Sequence, residues 1–272
     1  MKRLYADLGL LIVALIWGVT FPVVKVAVES ISPFAFNAIR FFIACIFFLP
    51  FVSFEGFRDG FKIGIATFLG YSFQTVGLQY TTATNAGFIT SLYVVLAPLI
   101  AFVLYRISLR GIEVLSTFVA LAGLFLLTGY EGFNWGDILM LACAFAFAME
   151  IAMISHYSRE INPTQLAFWQ ILAVAVLSTP FAVATDKFVL NRDVVVALLV
   201  TAILATLVAK LMQNWFQRWT KPADASVIMS MEGVFSHIFS VFMLGESLSL
   251  MQYVGAGLIV LAVLIVSISS EF

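Results

Sequence analysis

Three ionisable side chains stand in the middle of apolar runs in this sequence. Glu232 lies in VIMSMEGVFSHIFSVFMLGE, residues 227–246, and His237 follows five residues later. Lys210 opens the polar face of TLVAKLMQNWFQRW, residues 206–219. A charge at the centre of a bilayer costs about 2.5–3.5 kcal/mol on insertion scales, so such groups face a bundle interior or a wet cavity, where they bind, pair or carry protons. The motifs of covalent or metal chemistry are missing from the sequence: no HExxH, no GxSxG, no phosphate-binding glycine loop. His156 and His237 are the only histidines and lack metal-ligand spacing, and Cys45 and Cys143 sit in apolar segments as small hydrophobes. No cofactor or metal is expected, and no enzyme.

Helical geometry groups the polar residues. At about 100° per residue, Thr206, Lys210, Gln213, Asn214 and Gln217 share one face. Ser226, Ser230, Gly233, His237 and Ser240 share another, which reads either as a close-packing face or as a ligand face. Glu232 points about 120° away from that stripe, so it and His237 are expected to have different neighbours. Lys210 and Glu232 sit near the centres of their segments and cannot snorkel. An ion pair of Lys210 with Glu232 or with Glu150, or a role of these groups in binding and proton exchange, stays open. Glu150, placed about one turn from the inner end of its segment, is expected to reach the interface. Arg40 is expected to snorkel outward or to pair with Glu29, and Lys25 and Glu29, at i and i+4, to form an interfacial pair. Gln74, with Trp17, Tyr71, Tyr93 and Trp215 as aromatic walls, completes the candidate cavity.

The elements that must position these groups are membrane helices. The chain has 272 residues, of which 62% are hydrophobic and 11% charged. Soluble domains carry about 25% charged residues, so this composition cannot build a wet surface. Ten apolar stretches, 8–28, 34–53, 61–80, 84–104, 111–129, 136–156, 163–184, 194–218, 223–244 and 249–269, each approach the ~20 residues that span hydrocarbon as a helix. The first, MKRLYADLGLLIVALIWGVTFPVV, begins like a signal peptide but lacks a small-x-small cleavage site after its apolar run, and is read as a retained helix. Pro22 and Pro98 free the carbonyls of Gly18 and Val94, which predicts kinks. With the N-terminus inside, the inner segments hold nine Lys and Arg and the outer ones three, which places both termini in the cytoplasm. A net charge of −1 gives no nucleic-acid footprint.

The chain also repeats itself. In a register of 130 residues Asp7 meets Asp137, Pro33 meets Pro163 and Pro50 meets Pro180. In a register of 139, Gln74 meets Gln213, Gly123 meets Ala262, and YTTATNAGFITS lies over WTKPADASVIMS. The change of register puts nine extra residues near 184–193. Two halves of five helices each, 1–130 and 131–272, must cross the membrane in opposite senses, because five is odd. Inverted repeats of this kind place a substrate site near the midplane between them.

Several segments, in this order, resemble the drug/metabolite transporter superfamily and its EamA-type branch. ALIWGVTFPVVK resembles that family's first helix, TTATNAGFITSLYVVLAPLIAFVL its fourth and GDILMLACAFAFAMEI its sixth. SMEGVFSHIFSVFMLGESLSLMQYVGAGLIVLAVLI resembles the Leu-Glu-Pro-Val-Phe-Ala, Gly-Glu and last-helix pattern. The resemblance implies an all-α polytopic protein of two inverted five-helix repeats. It further implies a secondary transporter exporting small metabolites or amino acids from a bacterial or archaeal cell. Glu232 falls on the acid of the ninth-helix pattern and Glu246 on its Gly-Glu. The chain departs from the pattern at Gly233, where proline is usual, and at YRISLRG, which lacks Gly-Glu. The expected partners are a small-molecule substrate and the lipid bilayer, with a homodimer left open. Within transport the rival reading is a channel-like facilitator.

Overall fold

A computed structural model describes residues 2–128, 134–185, 187–247 and 249–269. The expected boundary between the halves, 130/131, and part of the EGFNWG break lie outside the described residues. The protein is all-helical: among the described residues the only extended pairing is one isolated antiparallel bridge, Ile31 to Phe188. The helices are α1 Lys2–Ala27, α2 Pro33–Phe48, α3 Phe57–Gly77, α4 Ala83–Thr90, α5 Tyr93–Tyr105, α6 Gly111–Thr128, α7 Trp135–Tyr157, α8 Pro163–Val183, α9 Arg192–Val200, α10 Ala209–Gln217, α11 Pro222–Met229, α12 Met231–Leu244 and α13 Leu250–Ser269. Among the described residues seven stretches are long and apolar enough to cross a membrane, among them Ala83–Tyr105, Arg192–Gln217 and Pro222–Leu244, each built from more than one helical piece. Gly111–Gly123 and Leu250–Ala262 are shorter apolar helices, and α3 is a further helix of 21 residues.

Local sequence explains where helices start. Ser32 Oγ accepts the Ala35 N–H ahead of Pro33, whose missing N–H would have been an orphan of the first turn. Asn134 and Asp137 form a reciprocal capping box at α7, and Asn191 caps Val194 at α9. Along α1, Leu4, Leu8, Ile12 and Leu15 are exposed while Ala6, Leu10, Val13 and Ala14 are buried, which is a lipid face backed by a packed one.

Two spans are broken, and at positions that correspond in the 139-residue register. The fourth apolar stretch breaks at Ser91 and Leu92, the ninth at Ser230, and at the crossing Ser91 Oγ donates to the Ser230 carbonyl (3.3 Å). Pro98 lies inside α5, and this span is interrupted seven residues before it, at Ser91. The ninth span breaks without a proline, at a serine that satisfies its own hydroxyl on Val227 O (2.7 Å). The eighth span contains a wide π-type stretch, Thr201–Val208, which ends just before Lys210.

Small residues let the backbones approach. Gly87 sits against Ser236 and Gly233 against Phe88 and Ser91. Gly18 of α1 lies on the first turn of α12: a Cβ there would stand 2.4 Å from Phe235 Cβ and 2.9 Å from Glu232 O and Ser236 N. Gly18→Ala is therefore expected to push α1 off α12 and to destabilise the protein by about 1–3 kcal/mol. Thermal melting in detergent measures this, and an unchanged melting temperature would show that the contact yields freely.

Candidate functional site

Between the helix pieces lies a small chamber of about 20 Å³, room for about one water. Helix α1 supplies Trp17 and Thr20, α3 supplies Tyr71 and Gln74, and α5 starts with Tyr93. Interleaved with these, α7 supplies Phe147, Glu150 and Ile151, α10 supplies Lys210 and Gln213, and α12 supplies Glu232 in its first turn. The breaks have a direct consequence here, because they place Tyr93 and Glu232 at the first turns of α5 and α12, where both side chains reach the chamber.

The charged groups are organised by one buried ion pair. Lys210 Nζ lies 2.5 Å from Glu150 Oε1, and both side chains are 1% exposed. Glu150 also accepts from Gln170 Nε2, which donates in addition to Thr67 Oγ1 (2.8 Å). Gln170 Oε1 accepts from Asn214 Nδ2 (2.9 Å), and Lys210 donates to Gln213 Oε1 (3.2 Å). The Lys210 ammonium stands 4.5 Å from the Trp17 ring centroid and 5.4 Å from those of Tyr71 and Phe147. Trp17 is held by its indole N–H, which donates to Ala205 O (3.0 Å) inside the wide stretch of the eighth span.

Of the two ion-pair alternatives, the structure builds Lys210–Glu150 and not Lys210–Glu232. Glu150 thus departs from the expected interfacial position. Helix α7 continues to Tyr157, so Glu150 lies about two turns inside and faces Lys210 across the bundle. Glu232 is 3% exposed, and its Oε1 has no hydrogen bond. The Tyr93 hydroxyl is its hydrogen-bonding neighbour, although no close bond is formed, and Gln213 Nε2 is unpartnered. Three buried polar atoms therefore face one chamber without a close bond, an arrangement that a single bridging water would satisfy.

Other expected positions move. Asn214 does not line the chamber but bridges Gln170 and Lys210 O behind it. Trp215 lies on the opposite face of α10, 36% exposed, with its indole N–H on Thr164 Oγ1 (3.1 Å). A helix face about 160° from Gln213 cannot share its cavity. His237 lies away from the chamber, against Thr84 Oγ1 (3.3 Å) and the rings of Phe88 and Tyr253, so it and Glu232 have separate neighbours, as their helix angle requires. Arg40 neither snorkels nor pairs with Glu29: it is 2% exposed, donates to Thr206 Oγ1 (2.6 Å) and lies 4.8 Å from the Tyr71 ring centroid. Lys25 does not form the expected interfacial pair with Glu29 but caps the end of α3, donating to Leu78 O (2.9 Å) and Thr81 O (2.7 Å). Thr20, Phe147 and Ile151 line the chamber without having been singled out. The register between halves would have found the first two, since Thr20 corresponds to Glu150 and Phe147 to Trp17.

Two further clusters sit at the ends of the broken spans. Near the start of α11, Asp224 is bound by Arg3 and by Arg110 (3.2 Å), and Glu113 by Arg110 (2.6 Å) and Lys221 (3.4 Å), with both acids buried. Near the start of α4, the Glu246 carboxylate accepts from Ala83 N (3.2 Å), Thr84 N (3.0 Å) and Thr84 Oγ1, an anion at a helix N-terminus.

A family model described as the EamA-like transporter family matches residues 4–129 and again 134–268. A protein of Archaeoglobus fulgidus named an uncharacterized transporter is 63% identical over 268 residues, covering 98% of this chain and 87% of its own length. The uncharacterized inner membrane transporter YedA of Escherichia coli K12 is 24% identical, covering 93% of this chain and 88% of its own. A solved crystal structure shares the fold with a TM-score of 0.80 at 19% identity, covering 99% of this chain and 98% of its own.

Removing Lys210 tests the pairing. Lys210→Met leaves the Glu150 carboxylate buried without its cation, so stability should fall by about 3–5 kcal/mol. Adding Glu150→Gln should recover most of it, read as detergent-extracted yield and melting temperature. Recovery by Glu232→Gln instead would assign the wrong partner.

Proposed function

The chain belongs to the EamA-like transporter family, and from that premise we propose that it is a secondary carrier of the cytoplasmic membrane. It exports small metabolites or amino acids by alternating access through the chamber. Ten spans form two inverted five-helix repeats, 1–130 and 131–272, with both termini in the cytoplasm. The single observation that carries the reading is the chamber itself: a buried space between the two halves, with Glu232 Oε1, Tyr93 Oη and Gln213 Nε2 unpartnered around it.

The packing supports the repeat. Helix α1 packs on α11 and α12 as α7 packs on α4 and α5, and α3 packs on α7 as α10 packs on α1. Helices α2 and α8 meet, as do α6 and α13. The lining pairs in the two registers: Trp17 with Phe147, Thr20 with Glu150, Tyr71 with Lys210, Gln74 with Gln213, Tyr93 with Glu232. Behind it, Arg40 on Thr206 has its counterpart in Gln170 on Thr67.

Closures at both ends favour a carrier over a channel-like facilitator. The Arg3–Asp224–Arg110–Glu113–Lys221 cluster ties the inner ends of α1, α6 and α11. Outside, the extra residues of the second half strap onto the first loop, through Ser32 N to Lys187 O (2.8 Å), Val189 N to Ser30 O (3.0 Å) and Lys187 Nζ to Val28 O (3.0 Å). In this mechanism each end opens in turn, and Glu232 exchanges a proton for substrate.

Liposomes reconstituted with the full chain and screened for metabolite accumulation test the function. Glu232→Gln keeps the shape and removes the charge, so it should still bind substrate while flux loses its dependence on pH. Wild-type flux with unchanged pH dependence in a folded Gln variant would remove Glu232 from coupling. Reporter tags on the N-terminus, the 54–62 loop and the C-terminus should all read cytoplasmic. An external C-terminus would break the ten-span repeat.

A further inference from the structure

Helix α6 packs closely on α13 but only sparsely on α5. A groove opens between α5 and α6, with Val95 and Leu99 on one side and Val114, Phe118 and Leu121 on the other. It holds about 180 Å³, against about 20 Å³ for the chamber, and its surface is wholly apolar. Leu99, Val114 and Phe118 are exposed, so the groove opens sideways toward hydrocarbon.

Along α6 the groove runs from Glu113 to Leu121, eight residues or about 12 Å at the helical rise. Half the hydrocarbon thickness is about 15 Å, so the groove has the depth of one leaflet. Its end at Leu109 and Glu113 meets the YRISLRG loop, on the side that the count of basic residues makes cytoplasmic.

Charge at that end is layered. A smaller cleft shares Pro98, Leu109 and Glu113 with the groove and is lined by Lys221 as well. The Glu113 and Asp224 side chains are 0% exposed, whereas the cations bonded to them, Arg110 and Lys221, are 36% and 33% exposed. The acids are covered and the cations are not, so the mouth of the groove is positive. Arg106, in the same loop, is exposed, and its guanidinium has no hydrogen bond or ion pair among the described residues. In the 139-residue register Arg106 and Arg110 fall on Gly245 and Ser249, so the second half has no cation at these positions. Basic pockets between membrane helices on the cytoplasmic side bind anionic lipid head groups.

We propose that the groove is a specific lipid site. It takes one acyl chain of an anionic glycerophospholipid of the inner leaflet, and the head-group phosphate bonds to Lys221 and Arg110. A zwitterionic lipid with the same chains fits the groove equally well but brings its own cation to a positive mouth, so it binds more weakly. The occupied site joins α5, α6 and the start of α11, the elements that meet at the Arg110–Asp224 pair. Only the name of the leaflet rests on the orientation given above; the site stands apart from the chamber and from the carrier reading.

Native mass spectrometry of the full chain tests it, after delipidation in detergent and addition of equal amounts of dioleoyl phosphatidylglycerol and dioleoyl phosphatidylcholine. The wild type should retain phosphatidylglycerol over phosphatidylcholine by at least about fivefold, the effect of one basic side chain at a membrane surface. Lys221→Gln, which leaves Glu113 bonded to Arg110, should cut that preference by about fivefold. Val114→Phe fills the groove from an exposed position and should abolish the preference. Glycerol phosphate in excess, a head group without chains, should not displace the lipid. Equal retention of the two lipids by the wild type overturns the proposal, as does an unchanged preference in either variant once folded. Displacement by glycerol phosphate also overturns it, since the site would then be one for a soluble anion. The wild-type comparison stands even if a variant does not fold.

Discussion

Hydrocarbon offers no hydrogen bonds, so each polar group that enters the bundle must find its partner inside the protein. This constraint explains most of the contacts described. Backbone groups are met first, by helices, and then at the ends of helices by side chains from elsewhere. Lys25 reaches the carbonyls at the end of α3, Glu246 reaches the N–H groups at the start of α4, and Ser91 reaches the Ser230 carbonyl at the crossing. Side chains are met next, and the Lys210, Glu150, Gln170, Asn214 and Thr67 chain is the largest such network around the chamber. Buried polar atoms without a close bond also occur elsewhere in the bundle, among them Ser72 Oγ and Gln217 Oε1, while those of Glu232, Tyr93 and Gln213 share one space.

The broken spans solve a geometric problem. A straight helix across the bilayer would carry its carbonyls and N–H groups in register and leave no reason for two crossing helices to differ at the midplane. Breaking both at Ser91 and Ser230 brings two half-helix beginnings to the chamber, together with the side chains of Tyr93 and Glu232. Glycine makes the crossing possible, since Gly87 and Gly233 face Ser236, Ser91 and Phe88 with no room for a Cβ. The same small residues that read as a packing face in sequence therefore serve packing, with Ser226 and Ser230 bonding back to their own helix.

The two ends of this crossing are tied differently. One is held by buried acids shared among Arg3, Arg110 and Lys221, the other by backbone N–H groups on Glu246 and by a strap of extended chain around Lys187. The missing Gly-Glu of the YRISLRG loop has a counterpart in this difference. Arg106 takes the left-handed conformation (φ 54°) that Gly245 takes in the other loop (φ 69°), and Arg110 then reaches Asp224 at the start of α11. Charge in one loop replaces an anionic cap in the other.

Composition, apolar length and the two registers determine that this chain is a multi-pass helical membrane protein and single out its buried charges. These are properties of local segments, so they can be read without knowing what touches what. The polar face of α10 was equally legible, because a 3.6-residue period is local, and so was the separation of Glu232 from His237. Which carboxylate takes Lys210 was not legible, because Glu150 and Glu232 are both acids in apolar segments and only the packing of α7 on α10 selects one. Nor were the breaks at Ser91 and Ser230, since serine is ordinary in a membrane helix and neither site carries a proline. Tertiary packing decided them, by rewarding close approach of two backbones at points where local sequence is indifferent. It likewise turned Arg40 inward to Thr206 and Trp215 outward to Thr164, where helix position alone allowed either.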